Sequence, residues 1–240
     1  MKNNKQFAVI GLGRFGRAVV ETLVASGYDV MGCDKNMEAV KQMEHIATDV
    51  MQLDVMNEDA MQYIGLNNFD VVIVAIGESL EASIMATMYA KEKGVNTCLD
   101  TSGNPFTVEE PFFGKFNELM KYTDLFMLDI KHIDDEEHKK LTGQTNKNIL
   151  DMAQYLSKNG KKMWIRHVLV PGITTDERYL KQLREFIDTL KTVDRVEVLP
   201  YHTLGVFKWK ELGIPYQLDG VEPPTKEQIE CAKRILNCQN

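Results

Sequence analysis

The sequence predicts an α/β protein with a parallel sheet, and three observations lead to this fold class. Apolar runs of strand length alternate with segments of helical periodicity along most of the 240 residues. Several of these runs, such as VVIVAI at residues 71–76, are continuously apolar, as strands covered on both faces of a parallel sheet are. The first run also enters a glycine-spaced turn that opens a helix. Together they favour a doubly wound sheet that binds ligands at the carboxyl ends of its strands.

The first part of the chain contains four strand–helix repeats. The strands are predicted over Phe7–Ile10, Asp29–Cys33, Asp49–Leu53 and Phe69–Ala75. The helices are predicted over Arg14–Ala25, Met37–Glu44, Asn57–Gly65 and Ser79–Lys93.

The glycine-spaced turn indicates a nucleotide site. Gly11 allows a tight turn after the first strand, Gly13 lets the backbone approach a pyrophosphate, and Gly16 lets the helix pack close to the sheet. The helix N-terminus offers free N–H groups and partial positive charge to phosphate oxygens. Asp34 ends the second strand, about twenty positions further on, where an acidic residue is expected to hold the ribose hydroxyls. Such an acid disfavours a 2′-phosphate and therefore NADP.

Further candidates stand at the same edge of the predicted sheet. Asp54 follows the third strand, where it either contacts an adenine edge or caps the helix that begins near Asn57. The other candidates are neighbours in the glycine turn and at the strand ends: Phe15, Val55, Ala75, Ile76 and Gly77.

Composition and charge exclude several classes of function. The net charge is −7 with a pI of about 5.3, which argues against nucleic-acid binding through a basic surface. No apolar run is long enough for a transmembrane helix, and the N-terminus has no signal-peptide pattern, so we expect a cytoplasmic protein without membrane insertion. The four cysteines are scattered without the spacing of a metal site or a disulfide framework. We expect no bound metal.

The first part resembles a known family through the phrases GLGRFG, CDK, LDVMNEDAM and VVIVAIGESLEAS. Over about residues 5–95 it is similar to the regulatory nucleotide-binding (RCK-type) domain of bacterial Ktr/Trk potassium-uptake proteins. The resemblance implies that ATP, ADP or NAD binds, with Arg14 at the phosphates, Asp34 and Lys35 at the ribose and Asp54 on the adenine side. It also implies a membrane transporter subunit as partner, and it is compatible with a homodimer.

The second part repeats the α/β pattern. Strands are predicted over Thr97–Leu99, Leu125–Asp129, Met163–Leu169 and Arg195–Leu199. Helices are predicted near Phe113–Met120, Asn146–Asn159, Tyr179–Lys191 and Lys226–Leu236. Polar residues stand where these strands end, namely Asp100, Asp129, Lys131, Arg166 and His202. Each of them either belongs to a ligand pocket or forms a salt bridge or cap at a strand end.

From about residue 97 the chain resembles a second family. The phrases TCLDTSG, TDLFMLDIKHIDDEEHKKLTG, WIRHVLVPGIT and VEVLPYHTLGVFKWKELGIPY are similar to the C-terminal part of pyruvate formate-lyase activating enzymes. These are radical S-adenosylmethionine enzymes built on a partial (β/α) barrel. The resemblance implies S-adenosylmethionine contacts: Asp100 to the ribose, Asp129 and Lys131 to the methionine part, and Arg166 and His202 nearby.

The cysteines argue against radical chemistry. Such an enzyme needs three thiolates spaced C-x3-C-x2-C for its iron–sulfur cluster. Cys33, Cys98, Cys231 and Cys238 do not have this spacing. We therefore expect no cluster, no catalytic residues and no turnover.

The two resemblances abut within a few residues, which favours a chimera, natural or engineered, with parts at residues 1–96 and 97–240. Because no flexible linker separates the parts, we predict one merged parallel sheet of eight strands in the order 3-2-1-4-5-6-7-8. A nucleotide-binding module is the leading functional hypothesis. The alternatives are a fragment of the activating enzyme that binds S-adenosylmethionine, a nucleotide-sensing regulator of potassium transport, and, least supported, a nicotinamide-dependent dehydrogenase.

Overall fold

The structure, a computed structural model, describes residues 5–76, 79–203, 206 and 213–238. These residues form two compact units. The first unit takes in the described residues up to Thr97 together with Gly114–Asp124. The second unit takes in Cys98–Phe113 and the described residues from Leu125 onward.

Strands and helices alternate through both units. The strands are β1 (Gln6–Ile10), β2 (Asp29–Asp34), β3 (Asp49–Gln52), β4 (Val71–Val74), β5 (Cys98–Thr101), β6 (Leu125–Asp129), β7 (Lys162–Leu169) and β8 (Val193–Pro200). The helices are α1 (Arg14–Ala25), α2 (Met37–Met43), α3 (Glu58–Tyr63), α4 (Leu80–Glu92), α5 (Phe112–Tyr122), α6 (Asp135–Thr142), α7 (Lys147–Lys158), α8 (Glu177–Asp188) and α9 (Lys226–Leu236). A 3-10 turn covers Leu66–Asn68.

The strands form two parallel four-stranded sheets, in the orders β3-β2-β1-β4 and β5-β6-β7-β8. The α/β class and the order within each sheet are as predicted. The merger of all strands into one sheet was wrong, because β4 and β5 are not hydrogen-bonded neighbours. β4 pairs with β1, and β5 pairs with β6, so β4 and β5 are edge strands of two separate sheets.

The first sheet is covered on both faces. Along β1, Val9 belongs to one buried cluster and Ile10 to another, since successive side chains of a strand point to opposite faces. The Val9 cluster is completed by α1 and α2, for example by Val20 and Met43. The Ile10 cluster is completed by α3 and α4. Because helices cover both faces of this sheet, the carboxyl ends of its strands form the open edge of the first unit.

The second sheet has one buried apolar face and one half-buried face that carries both charged and apolar side chains. Along β7, residues alternate between buried and half-buried, and Ile165 on the apolar face is fully buried. Helices α7, α8 and α9 each bury an apolar stripe that includes Leu156, Leu183 and Leu236, respectively. The opposite face carries charged side chains, among them Arg166. Of the predicted ligand contacts in the second unit, Asp100, Asp129 and Arg166 lie on this half-buried face.

Helix α6 did not follow from hydrophobic periodicity, because it is strongly polar. Its local signals are nevertheless clear. Asp134 accepts hydrogen bonds from the backbone N–H groups of Glu136 and Glu137, and the first turn is acidic while the last is basic. Both features stabilise a helix through its unpaired end groups and its dipole. Among the described residues, no helix combines the length and apolar character needed to cross a membrane.

An ionic cluster ties residues 114–124 to the first unit. Lys91 Nζ lies 2.6 Å from Asp124 Oδ1, and Thr97 N donates to Asp124 Oδ2 at 2.9 Å. Burial raises the pKa of Asp124, but the hydrogen bonds from Lys91 and Thr97 outweigh burial and hold this pKa below its usual value. The cluster explains why the chain changes unit beside Asp124, which sequence patterning alone did not indicate.

Two buried histidines of the second unit make its stability sensitive to pH. His167 is fully enclosed, its Nδ1 lies 2.8 Å from Ile130 O, and burial lowers its pKa from 6.5. Burial likewise lowers the pKa of His132, although Asp134 and Glu137 favour its charged form. Because the unfolded chain takes up protons that the folded chain resists, the stabilisation present above pH 6.5 is lost as the pH falls below it.

We therefore expect the free energy of unfolding to fall between about pH 6.5 and pH 5 by up to about 1.4 kcal/mol per pH unit for each histidine. Urea denaturation across this range measures the slope. His167→Gln should reduce it, whereas His45→Gln, at an exposed histidine, should leave it unchanged. An equal slope in wild type and His167→Gln would contradict the assignment.

Candidate functional site

A cleft of about 450 Å³ opens at the carboxyl ends of the first sheet. The loops after β1, β2, β3 and β4 all contribute to its wall. The lining residues are Ile10, Gly11, Leu12, Gly13, Arg17, Asp34, Lys35, Asn36, Ala39, Leu53, Asp54, Val55, Met56, Ala75, Ile76, Ser79 and Ala82. All of them belong to the first unit.

The three glycines of the turn have different reasons to be glycine. Gly11 has a φ of +102°, and a Cβ there would lie 2.8 Å from the carbonyl of Ala75. A Cβ on Gly16 would lie 1.8 Å from Gly11 O. Both are therefore required by the chain itself. Gly13 has an ordinary φ of −65°, and a Cβ there would meet nothing within 4 Å. The protein leaves open space at Gly13.

Asp34 is held in place by the backbone around it. Its Oδ2 accepts a hydrogen bond from Leu12 N at 2.6 Å, and its Oδ1 accepts one from Asn36 N at 2.8 Å. The carboxylate thus bridges the loop after β1 and the loop after β2. Each oxygen retains acceptor capacity, so the carboxylate is able to receive two hydroxyl groups of a ligand without moving.

Asp54 is an exposed residue of the cleft wall, and its side chain also shapes the loop after β3. Its Oδ1 accepts a hydrogen bond from Met56 N at 3.0 Å. The helix cap predicted as its alternative role belongs to Asn57, whose side chain accepts from Ala60 N at 3.1 Å. Met56 lines the cleft and is 52% exposed, so an apolar side chain stands at the opening.

The start of α1 offers unpaired N–H groups to the cleft. Gly13 is its N-cap and provides no side-chain hydrogen bond, and the first turn holds no acidic residue. Of the two basic residues here, Arg17 lines the cleft. Arg14 is exposed and does not line the cleft, and Phe15 and Gly16 do not line it either. Gly77 lies outside the described residues.

The structure places most of the predicted nucleotide residues in one cleft. Those brought together there are Gly11, Gly13, Asp34, Lys35, Asp54, Val55, Ala75 and Ile76. Residues that sequence reasoning missed are Arg17, Asn36, Met56 and Ser79. Arg17 carried a usable signal, since it stands four residues after Gly13 and therefore on the same face of α1. Asn36 and Ser79 cap α2 and α4, so cap patterns would have located them.

Four of the five polar strand-end residues of the second unit form one ion-pair cluster. Arg166 Nε donates to Asp129 Oδ1 at 2.8 Å, and Arg166 Nη1 donates to Asp100 Oδ2 at 3.0 Å. Lys131 Nζ lies 3.5 Å from Asp129 Oδ2. His202 is exposed, two residues beyond β8. The cluster joins β5, β6 and β7. Arg166 lies in the middle of β7, so the expected position at a strand end was wrong for this residue, whereas the salt bridges expected as the alternative role are present.

The described residues contain no group of three or more His, Cys, Asp or Glu side chains arranged to hold a metal ion. Cys33 is buried in β2, and burial raises the pKa of its thiol to about 12. Much of the aromatic stretch near residues 201–216 lies outside the described residues.

The fold and the cleft place the first unit in the class of Rossmann-type nucleotide-binding α/β proteins. The TrkA-N domain family matches residues 7–100, which contain the whole cleft. The first part of the predicted two-part resemblance is thereby confirmed.

The second part of the resemblance is confirmed as well. The pyruvate formate-lyase-activating enzyme of Streptococcus mutans is 47% identical over 171 residues, 70% of this chain and 65% of that enzyme. The enzyme of Staphylococcus aureus strain USA300 is 48% identical over 169 residues, 69% of this chain and 67% of that enzyme. The chain belongs to the pyruvate formate-lyase-activating enzyme family, and it spans about two thirds of the length of these curated relatives.

A solved structure agrees with this assignment at the level of fold. The crystal structure of a domain of pyruvate-formate lyase-activating enzyme from Bacteroides vulgatus matches with a TM-score of 0.54 at 22% identity. The match covers 68% of this chain and 90% of that chain.

The glycine geometry predicts that two similar substitutions change the stability by different amounts. Gly16→Ala should destabilise the first unit by more than about 2 kcal/mol, because its Cβ would overlap backbone that has no room to move. Gly13→Ala should change stability by less than about 1 kcal/mol, since its φ suits alanine. Chemical denaturation of both variants checks this difference, and an equal loss in the two variants would refute it.

Proposed function

We propose that this protein binds an adenine nucleotide, ATP, ADP or NAD, in the cleft of its first unit, and does so without turnover. The diphosphate lies against the N-terminus of α1, and the ribose hydroxyls bind the carboxylate of Asp34. The adenine lies toward the loop after β3, beside Asp54 and Met56.

The observation that carries this proposal is the contrast among the glycines. The packing of the chain accounts for Gly11 and Gly16, but nothing in the chain requires a glycine at position 13. The missing side chain leaves the N–H groups of the first turn of α1 open to the cleft. Unpaired N–H groups at a helix N-terminus attract phosphate oxygens through hydrogen bonds and the helix dipole. A diphosphate bound in the open space beside Gly13 explains why this residue is a glycine.

Asp34 supports the same ligand from the other side of the cleft. Its two backbone hydrogen bonds keep the carboxylate pointing into the cleft. A fixed carboxylate attracts a ribose diol and repels a phosphate on the 2′ oxygen. ADP, ATP and NAD satisfy this requirement, and NADP does not.

Isothermal titration calorimetry with ADP, ATP, NAD+ and NADH tests the proposal. At least one of these ligands should bind the wild-type protein, and Gly13→Ala should weaken that binding by about tenfold or more, because the added Cβ occupies space that the phosphates need. Ser26→Ala, at the opposite end of the same helix, is the matched control and should bind like the wild type. No heat and no thermal shift with any of the four nucleotides would end the proposal.

A second candidate is a fragment of the activating enzyme that binds S-adenosylmethionine. The arrangement that favours it is the convergence of Asp100, Asp129, Lys131 and Arg166 in one cluster of the second unit. In this arrangement Arg166 already compensates both carboxylates. A ligand with hydroxyl and ammonium groups therefore has to compete with an internal ion pair.

Thermal unfolding with S-adenosylmethionine measures this second candidate. It predicts a rise in melting temperature that disappears in Asp100→Asn and persists in Glu230→Gln, a control on the exposed side of α9. Radical chemistry additionally requires a cluster, so anaerobic reconstitution that leaves the protein colourless and free of iron would exclude activase chemistry.

A further inference from the structure

We propose that Arg17 is a phosphate-binding residue of the cleft, and that on nucleotide binding its guanidinium exchanges Gln42 for the ligand's diphosphate. This inference rests on the proposed function and names a residue that determines how strongly the site prefers phosphorylated ligands. The sequence resemblance places Arg14, not Arg17, at the phosphates.

The position of Arg17 on α1 directs its side chain to the phosphate end of the cleft. Arg17 is the fourth residue of the helix, one turn beyond Gly13. Side chains on a helix lean toward its N-terminus, so that a residue covers the turn before its own Cα. Arg17 therefore extends over the turn that begins at Gly13, and its side chain forms part of the cleft wall. The same turn is the one whose N–H groups lack side-chain caps.

The charge of Arg17 is not balanced by a neighbouring carboxylate. Its Nη1 donates a hydrogen bond to Gln42 Oε1, a neutral acceptor on α2. Within the part of the chain that the structure describes, its side chain forms no ion pair with an acidic residue. A guanidinium has five N–H donors, and Gln42 engages only one nitrogen. The group thus retains its charge and most of its donors for an anion in the cleft.

Two carboxylates line the cleft, Asp34 and Asp54, and in the described part of the chain both accept hydrogen bonds from backbone N–H groups rather than from the guanidinium of Arg17. Asp34 accepts backbone N–H groups with both of its oxygens, which holds it toward Leu12 and Asn36. A diphosphate, in contrast, offers several charged oxygens beside the turn at Gly13, and guanidinium–phosphate hydrogen bonds are among the stronger ones in proteins. Release of Gln42 by Arg17 is therefore favourable when phosphate is present.

The exchange would also connect the ligand to the packing of two helices. Gln42 belongs to α2, Met37–Met43, and its bond with Arg17 joins the exposed sides of α1 and α2. When Arg17 turns to the diphosphate, that bond breaks. Binding of a phosphate therefore changes the hydrogen bonding of Gln42 at the surface of α2. The buried contacts between the two helices through Val20 and Val40 remain.

Calorimetric titration of Arg17→Ala with ADP and with adenosine tests the phosphate contact. Loss of a charge-assisted hydrogen bond should weaken ADP binding about ten- to a hundredfold and change adenosine binding by less than about twofold. Lys41→Ala removes an exposed cation of α2 outside the cleft and is the control for net charge. A change below twofold for ADP, or an equal loss for ADP and adenosine, would overturn the inference.

Substitutions of Gln42 test the exchange itself. Gln42→Glu gives Arg17 a charged partner and should weaken ADP binding about five- to tenfold, whereas Gln42→Ala frees the guanidinium and should bind ADP at least as tightly as the wild type. Gln42→Ala that binds as poorly as Arg17→Ala would show that the pair is structural. The same titrations distinguish this inference from the proposed function. A wild type that binds no nucleotide refutes both. A wild type that binds ADP with unchanged affinity in Arg17→Ala removes only this inference.

Discussion

The cleft of the first unit depends on one carboxylate that bridges two loops. Asp34 ends β2 and accepts hydrogen bonds from Leu12 N and Asn36 N, so it joins the turn after β1 to the start of α2. Leu12 is itself fully buried, which anchors the glycine turn to the core below it. The glycine turn and a half-buried acid form a preformed cleft because each holds the other in place. Preorganisation of this kind lowers the cost of ordering the loops when a ligand binds.

The second unit uses its charged residues differently. Arg166 lies between Asp100 and Asp129, so three neighbouring strands carry an internally compensated cluster. Desolvation opposes the charge of Arg166, yet the two carboxylates still raise its pKa. The two units thus present contrasting edges. One has a cation with a neutral partner beside open N–H groups, and the other has cations and anions already paired with each other. This contrast is the physical reason for placing the leading functional proposal in the first unit.

Sequence patterning predicted the larger elements because their signals are local. Glycine spacing, apolar runs and helical periodicity located all eight strands and the helices that bury an apolar stripe. It missed α6, whose stability comes from a capping aspartate and charge placement rather than from an apolar face. It also merged the two sheets, because the abrupt join near Thr97 contains no linker and a continuous chain does not reveal which strands pair.

The sequence by itself determined the α/β class, the glycine turn and the acid at the end of β2, since these depend on residue type and short-range spacing. It also determined the two-part resemblance that the family comparisons support. Only the tertiary structure decided which residues share the cleft, because that depends on how a helix face turns toward its neighbours. It placed Arg17 rather than Arg14 in the cleft wall, and it assigned the cap of α3 to Asn57. It also paired Arg166 with two carboxylates from other strands. The cap of α3 is a local contact, between Asn57 and Ala60, which the sequence had left open between two residues. The pairing of Arg166 depends on contacts between strands that are distant in sequence, and the choice of Arg17 depends on side-chain direction, which local patterning encodes only in part.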